Sequence, residues 1–127
     1  MKWKDGLKHW RKERGLTTPQ VQINKETGNP AIIDMMLEEV EELRLALLAN
    51  NEHEIIDACD DLIVLSSNHI AQSGYDVDLT MKETVKEISS RTGEIDSTTG
   101  KWTKYHTPEA QAKWYKADYS TCKLKGQ

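Results

Sequence analysis

Between Leu37 and Leu65 the chain reads LEEVEELRLALLANNEHEIIDACDDLIVL, an apolar stretch studded with carboxylates and broken once, at Asn50-Asn51. Upstream and within it, Ile33, Met36, Val40, Leu43 and Leu47 fall on one face of a helix that turns about 100° per residue. Downstream of the break, Ile55, Ile56, Ala58, Cys59, Leu62 and Ile63 cover most of a second helix, and a helix apolar nearly all round is normally buried. The connection is short, so the two helices are expected to pair as an antiparallel hairpin. Carboxylates are costly to bury unless paired or bound to a metal. The acids of this hairpin therefore either point at water or gather around something positive.

The rest of the chain favours the same class. Period-two alternation is nearly absent, whereas helix punctuation is frequent. Trp3, Leu7 and Trp10 share a face of an opening basic helix that stops at Gly15, and Thr18-Pro19 is expected to open a short helix ending near Gly28. Asn29-Pro30 starts the first hairpin helix, running to about Ala49. Asn51 with Glu54 makes a capping-box-like start to the second, which runs to Ser73 and stops at Gly74. A further helix is expected over Leu79–Ser90, a turn-rich loop over 93–107, and a last helix capped by Thr107-Pro108. The Lys-rich tail after Cys122 is expected to fray. The 127 residues thus read as one all-α domain, a helical bundle of four to six helices.

Composition narrows the partners. With a net charge of −4, a broad nucleic-acid surface is not indicated. No apolar run is long enough to span a bilayer and the start lacks a signal-peptide core, so a soluble cytoplasmic setting is expected, a virus-encoded protein acting in host cytoplasm included. Cys59 and Cys122 have no metal-ligand spacing, and Cys59 reads as a small buried hydrophobe. Gly100-Lys101 lacks the spacing of a phosphate loop, and His53-Glu54 lacks the second histidine of a zinc-protease helix. His69 reads as a core or interface histidine.

Chemistry is expected in the hairpin. Glu38, Glu39 and Glu42 lie within about 100° of one another, with Glu39 bordering the apolar stripe. Asp57 and Asp61 stack four apart on the facing helix, with Glu54 near the same line and closer to the turn, while Asp60 points off that face. Counting outward from the turn, Glu38, Glu39 and Glu42 stand level with Asp57 and Asp61, so five acids are brought to one place. Such crowding raises proton affinity unless a cation intervenes. All-oxygen ligands favour Mg²⁺, Mn²⁺ or Ca²⁺ over zinc. Two solvated acidic ladders are the plainer alternative.

The residues EEVEEL (38–43) followed by EIIDACDDL (54–62) resemble the E-E-x-x-E … E-x-x-D signature of the MazG-like all-α nucleoside triphosphate pyrophosphohydrolases, whose relatives include dimeric dUTPases and phosphoribosyl-ATP pyrophosphohydrolases. The resemblance implies Mg²⁺-dependent conversion of a (deoxy)nucleoside triphosphate to monophosphate and pyrophosphate, with Mn²⁺ as a substitute metal. It implies a homodimer or homotetramer built through the core helices. It carries a metal-binding role to Glu38, Glu39, Glu42, Asp57 and Asp61, and catalytic roles to Glu38, Glu39, Glu42 and Glu54, with Glu54 either a ligand or an orienter of water. Many relatives carry an Asn and a Ser-Lys pair after the fourth core helix. Here EISSRTG leaves Arg91 in place of the lysine and no evident asparagine. Arg91, Lys101 and Lys104 are the cations expected to meet substrate phosphates. Trp102 and Tyr105 are expected to anchor the loop. Neither membrane nor stable nucleic-acid binding is expected. Two alternatives stay open: a non-catalytic helical adaptor with an acidic hairpin, and a hydrolase of a phosphoribosyl nucleotide pyrophosphate.

Overall fold

A computed structural model describes residues 2–125. The chain is helical, as its punctuation indicates. Its elements are α1 (Trp3–Glu13), α2 (Ala31–Leu48), α3 (Glu52–Gln72), α4 (Val77–Ser89), β1 (Gly93–Ile95), β2 (Trp102–Lys104) and α5 (Pro108–Gln111). The chain divides into two compact units, one up to Gly74 and one from Tyr75.

In the first unit α2 and α3 form the expected hairpin, and α1 lies against α3. The turn between them needs one residue in the left-handed region, supplied by Asn50 at φ 51°, a conformation that asparagine tolerates. Asn51 then caps α3, its side-chain oxygen accepting from the Glu54 N–H at 3.2 Å. Arg11 ties α1 down by donating to the Asn68 side chain at 2.7 Å, and the Gln72 amide donates to the Leu16 carbonyl at 3.2 Å.

The helix expected after Thr18-Pro19 does not form. Residues 18–29 run as turns and a single bridge between Ile23 and Pro30, because the backbone N–H groups of Ala31 and Ile32 donate to the carbonyls of Gln22 and Gln20. Pro30 consequently sits one residue before the first turn of α2, and Asn29 donates to the Asp34 carboxylate instead of capping.

Apolar burial within each unit is small. Ile32, Ala46, Ala58 and Cys122 are the buried apolar residues among those described, and each large one contributes on the order of 2 kcal/mol. The all-round apolar pattern of α3 overstates its burial: Ile56 and Ile63 are exposed, and so is Cys59, contrary to expectation. Leu37, Val40, Leu45 and Leu47 on α2 are likewise about half exposed.

In the second unit Asp76 caps α4 through the Leu79 N–H. The segment expected to be a loop contains a ribbon in which β1 pairs antiparallel with β2, Gly93 opposite Lys104 and Ile95 opposite Trp102. β-Branched and aromatic residues at 95, 102 and 103 favour this. The Asp96 carboxylate accepts from Thr98 N–H and Thr99 N–H to fold the connecting turn. A Cβ at Gly93 would run into the Thr103 carbonyl and the Lys104 backbone, so the pairing requires glycine. Trp102 and Tyr105 do not anchor a core; both are exposed.

Thr107 caps α5, as its Thr-Pro signature indicates. The chain after α5 is strapped onto α4: Tyr115 O–H donates to Glu83 at 2.7 Å, Tyr115 N–H to Ser90 Oγ at 2.7 Å, and Ala117 N–H to Glu87 at 3.1 Å. The Glu83 bond, then burial, pushes the Tyr115 hydroxyl up to about 12. The tail stays paired beyond Cys122, with Lys123 bridging to Tyr75 and the Asp76 N–H donating to the Cys122 carbonyl. Its last two residues, 126 and 127, lie outside the described ones.

Removing the α3 cap tests the hairpin directly. Asn51→Ala is expected to lower unfolding free energy by about 1 kcal/mol, read as an earlier urea midpoint at unchanged slope.

Candidate metal centre

Helical spacing sets the site. Glu39 and Glu42 are three apart on α2 and share a face; α3 brings Asp61 up against them. Carboxylate oxygens of Glu39, Glu42 and Asp61 all lie within 4.8 Å of one another. Glu39 and Asp61 are half-buried and Glu42 is exposed, so the cluster opens to solvent along one edge.

The electrostatics are those of an unneutralised acid cluster. Burial first, then the approach of Glu42 and Asp61, pushes the Glu39 carboxyl up to about 7. Its Oε2 is out of contact with solvent and has no hydrogen-bond partner. No ion pair reaches any of the three among the described residues. The one arginine on α2, Arg44, instead forms a two-pronged pair with Glu41 at 2.7 and 2.9 Å. Three convergent carboxylates, one of which also carries a buried oxygen without a donor, fit a hard divalent cation.

The other expected acids stand differently. Glu38, Glu54 and Asp57 are exposed and lie outside the trio, so three acids converge where the helical wheel brought five together. The wheel puts Glu38 on the far side of Glu42 from Glu39, and Asp57 one turn below Asp61, but a convergence of side-chain atoms depends on which rows of two helices interlock, and spacing within one helix does not fix that. Asp60 is exposed, as expected.

The expected cations belong to the second unit. Lys101 is exposed in the hairpin turn. Arg91 and Lys104 both stand against the ring of Trp114, at 5.3 and 5.1 Å from its centroid. Sequence reading missed Trp114 altogether. Its nearest signal, the Thr107-Pro108 helix start, says nothing about where a ring six residues downstream will land.

Residues 7–91 match the family model for phosphoribosyl-ATP pyrophosphohydrolase, a span that takes in the whole acidic hairpin and ends at Arg91. Searches of curated proteins and of solved structures return no match.

The raised Glu39 carboxyl makes a metal-free prediction. Its ordinary value is 4.5 and its folded value about 7, so the folded state binds the extra proton across that window. Stability is thus undiminished below the unfolded pKa and falls as pH rises toward the folded one. In chelator, the melting temperature should drop from about pH 5 to about pH 8, and Glu39→Gln should flatten that decline. Parallel pH profiles for the two proteins would refute the crowding.

Proposed function

This chain belongs to the phosphoribosyl-ATP pyrophosphohydrolase family, hydrolases of acid anhydrides, and from that premise we propose that it cleaves a nucleoside triphosphate to monophosphate and pyrophosphate with Mg²⁺ as cofactor. The observation that carries the reading is the Glu39–Glu42–Asp61 convergence with its orphaned Glu39 oxygen. These three residues would hold the ion, with Mn²⁺ an adequate substitute. When bound, the ion supplies charge neutralisation and Lewis acidity toward phosphate oxygens.

The chain's own residues supply the rest. Exposed Glu38 precedes Glu39 in the chain and exposed Glu54 lies between Glu42 and Asp61, and neither joins the trio. One of them takes the proton of the attacking water as its oxygen bonds to the α-phosphorus and the bridging P–O bond breaks toward pyrophosphate. Asp57, one helical turn from Asp61, would serve as a further ligand or hold a metal-bound water.

The family match favours a second reading alongside the first. A phosphoribosylated nucleoside triphosphate offers the same α–β anhydride, so the site chemistry is shared and the base-side contacts decide between them. An adaptor role for the acidic hairpin is less well supported, since the match covers the hairpin in full.

Assembly belongs to the same proposal. Half-exposed Leu37, Val40, Leu45 and Leu47 on α2, with Ile56 and Ile63 on α3, offer apolar surface of the kind that homo-oligomers bury. A homodimer or homotetramer through these helices would add the core that the first unit lacks by itself.

Glu42→Ala and Asp61→Ala should each lower Mg²⁺-dependent pyrophosphate release at least about a hundredfold while far-UV circular dichroism keeps its helical amplitude. Saturating Mg²⁺, at about a hundred times its dissociation constant, should stabilise the parent protein by about 2.7 kcal/mol and leave both variants unmoved. A panel of nucleoside triphosphates, with phosphoribosyl-ATP beside them, separates the two substrates. Full activity in both variants would reject the site.

A further inference from the structure

The first unit has a second hollow, apart from the acidic trio and opposite to it in character. From Gly15 to Asn24 no residue is charged, in a chain of which 30% is. Six residues of this run, Leu16, Thr18, Pro19, Gln20, Val21 and Gln22, line a cavity of about 520 Å³, with Ala31 beside them at the start of α2. The volume is that of a pocket for a small molecule.

The backbone around the cavity is pinned. The N–H groups of Ala31 and Ile32 donate to the Gln22 and Gln20 carbonyls, both at 2.9 Å, and the Gln72 side chain donates to the Leu16 carbonyl at 3.2 Å. These bonds engage the main chain and leave the side-chain amides of Gln20 and Gln22 exposed, with no partner among the described residues. Leu16 and Pro19 are half-buried and form an apolar wall. An amide presents an N–H donor and a carbonyl acceptor side by side, which matches the paired donor and acceptor on the edge of a nucleobase.

Position along α2 relates the cavity to the trio. Ala31 and Glu42 are eleven residues apart, three turns and about 20° of rotation, so they share a face of the helix. Along the axis Glu39 lies about 12 Å from Ala31 and Glu42 about 16 Å. One nucleotide spans that separation. Its two ends also differ as the two sites do, a phosphate chain that needs a cation and a neutral heterocycle that needs none.

We propose that this cavity takes the nucleobase of the substrate, its edge hydrogen-bonded by the Gln20 and Gln22 amides and its ring packed on Leu16 and Pro19. The inference rests on the hydrolytic reading for the phosphate end of the same ligand. It assigns base recognition to residues 16–22, outside the acidic hairpin.

The test uses the full chain, labelled with ¹⁵N, in chelator, so that neither metal binding nor hydrolysis takes part. Adenosine, guanosine, cytidine, uridine and thymidine are titrated, with ribose as the control. At least one nucleoside should shift the backbone N–H signals of Leu16, Thr18, Gln20 and Gln22 saturably, and ribose should leave them in place. Gln20→Leu and Gln22→Leu should each weaken that nucleoside by roughly tenfold, with melting temperatures near that of the parent. In Mg²⁺ the same variants should raise KM for the matching triphosphate and keep the parent's stabilisation by the metal. Nucleoside shifts in a protein that hydrolyses no triphosphate would support the base pocket and reject the hydrolytic reading alone. Absence of a nucleoside shift at these positions, shifts that ribose matches, or variants that titrate as the parent does would overturn the inference, whatever the rate of pyrophosphate release.

Discussion

Three carboxylates meeting across one helix pair is the constraint on which the account depends. Glu39, Glu42 and Asp61 carry like charges within 4.8 Å, and one oxygen of Glu39 is out of contact with solvent and has no donor. Proteins relieve such crowding by protonation or by a cation. With the carboxyl of Glu39 pushed up to about 7, the metal-free site stands between its protonated and ionised forms at neutral pH. A divalent ion proposed for this position would displace that proton, so folding, protonation and metal affinity are one linked equilibrium.

The hairpin that makes this meeting possible is set by local rules that are easy to read. A 3.6-residue apolar stripe on α2, the Asn51 cap and a turn closed by left-handed Asn50 are each visible as residue types at fixed offsets. So are the stop at Gly74 and the Thr107 cap of α5. What spacing does not reveal is how much of a stripe will be covered. Ile56, Ile63 and Cys59 read as core because apolar periodicity reports a preference for burial, not its fulfilment within one chain. The same limit explains the acids. Glu38 and Asp57 satisfy the wheel, yet side-chain convergence follows from interlocking rows of two helices, and only Glu39, Glu42 and Asp61 meet that condition.

Non-local pairing accounts for the other departures. Residues 18–29 carry a proline signature that a helix start shares with a turn, and their backbone groups are taken up by Ala31 and Ile32. The 93–104 ribbon is too short to show alternation, and its decisive feature is the close approach of Thr103 to a residue with no side chain. Trp114 lands against Arg91 and Lys104 because Glu83 and Glu87 on α4, with Ser90 just past its end, fix the path of the chain after α5, a relation spanning some 25 to 32 positions. Two clusters of opposite sign result, one of carboxylates in the first unit and one of donors in the second.

The acidic trio is proposed to share one divalent ion. Anomalous diffraction at the manganese edge, from crystals grown with Mn²⁺, addresses it most directly. One peak is expected, bonded by carboxylate oxygens of Glu39, Glu42 and Asp61. Density confined to other acids, or an ordered trio with no anomalous signal at saturating Mn²⁺, would contradict it.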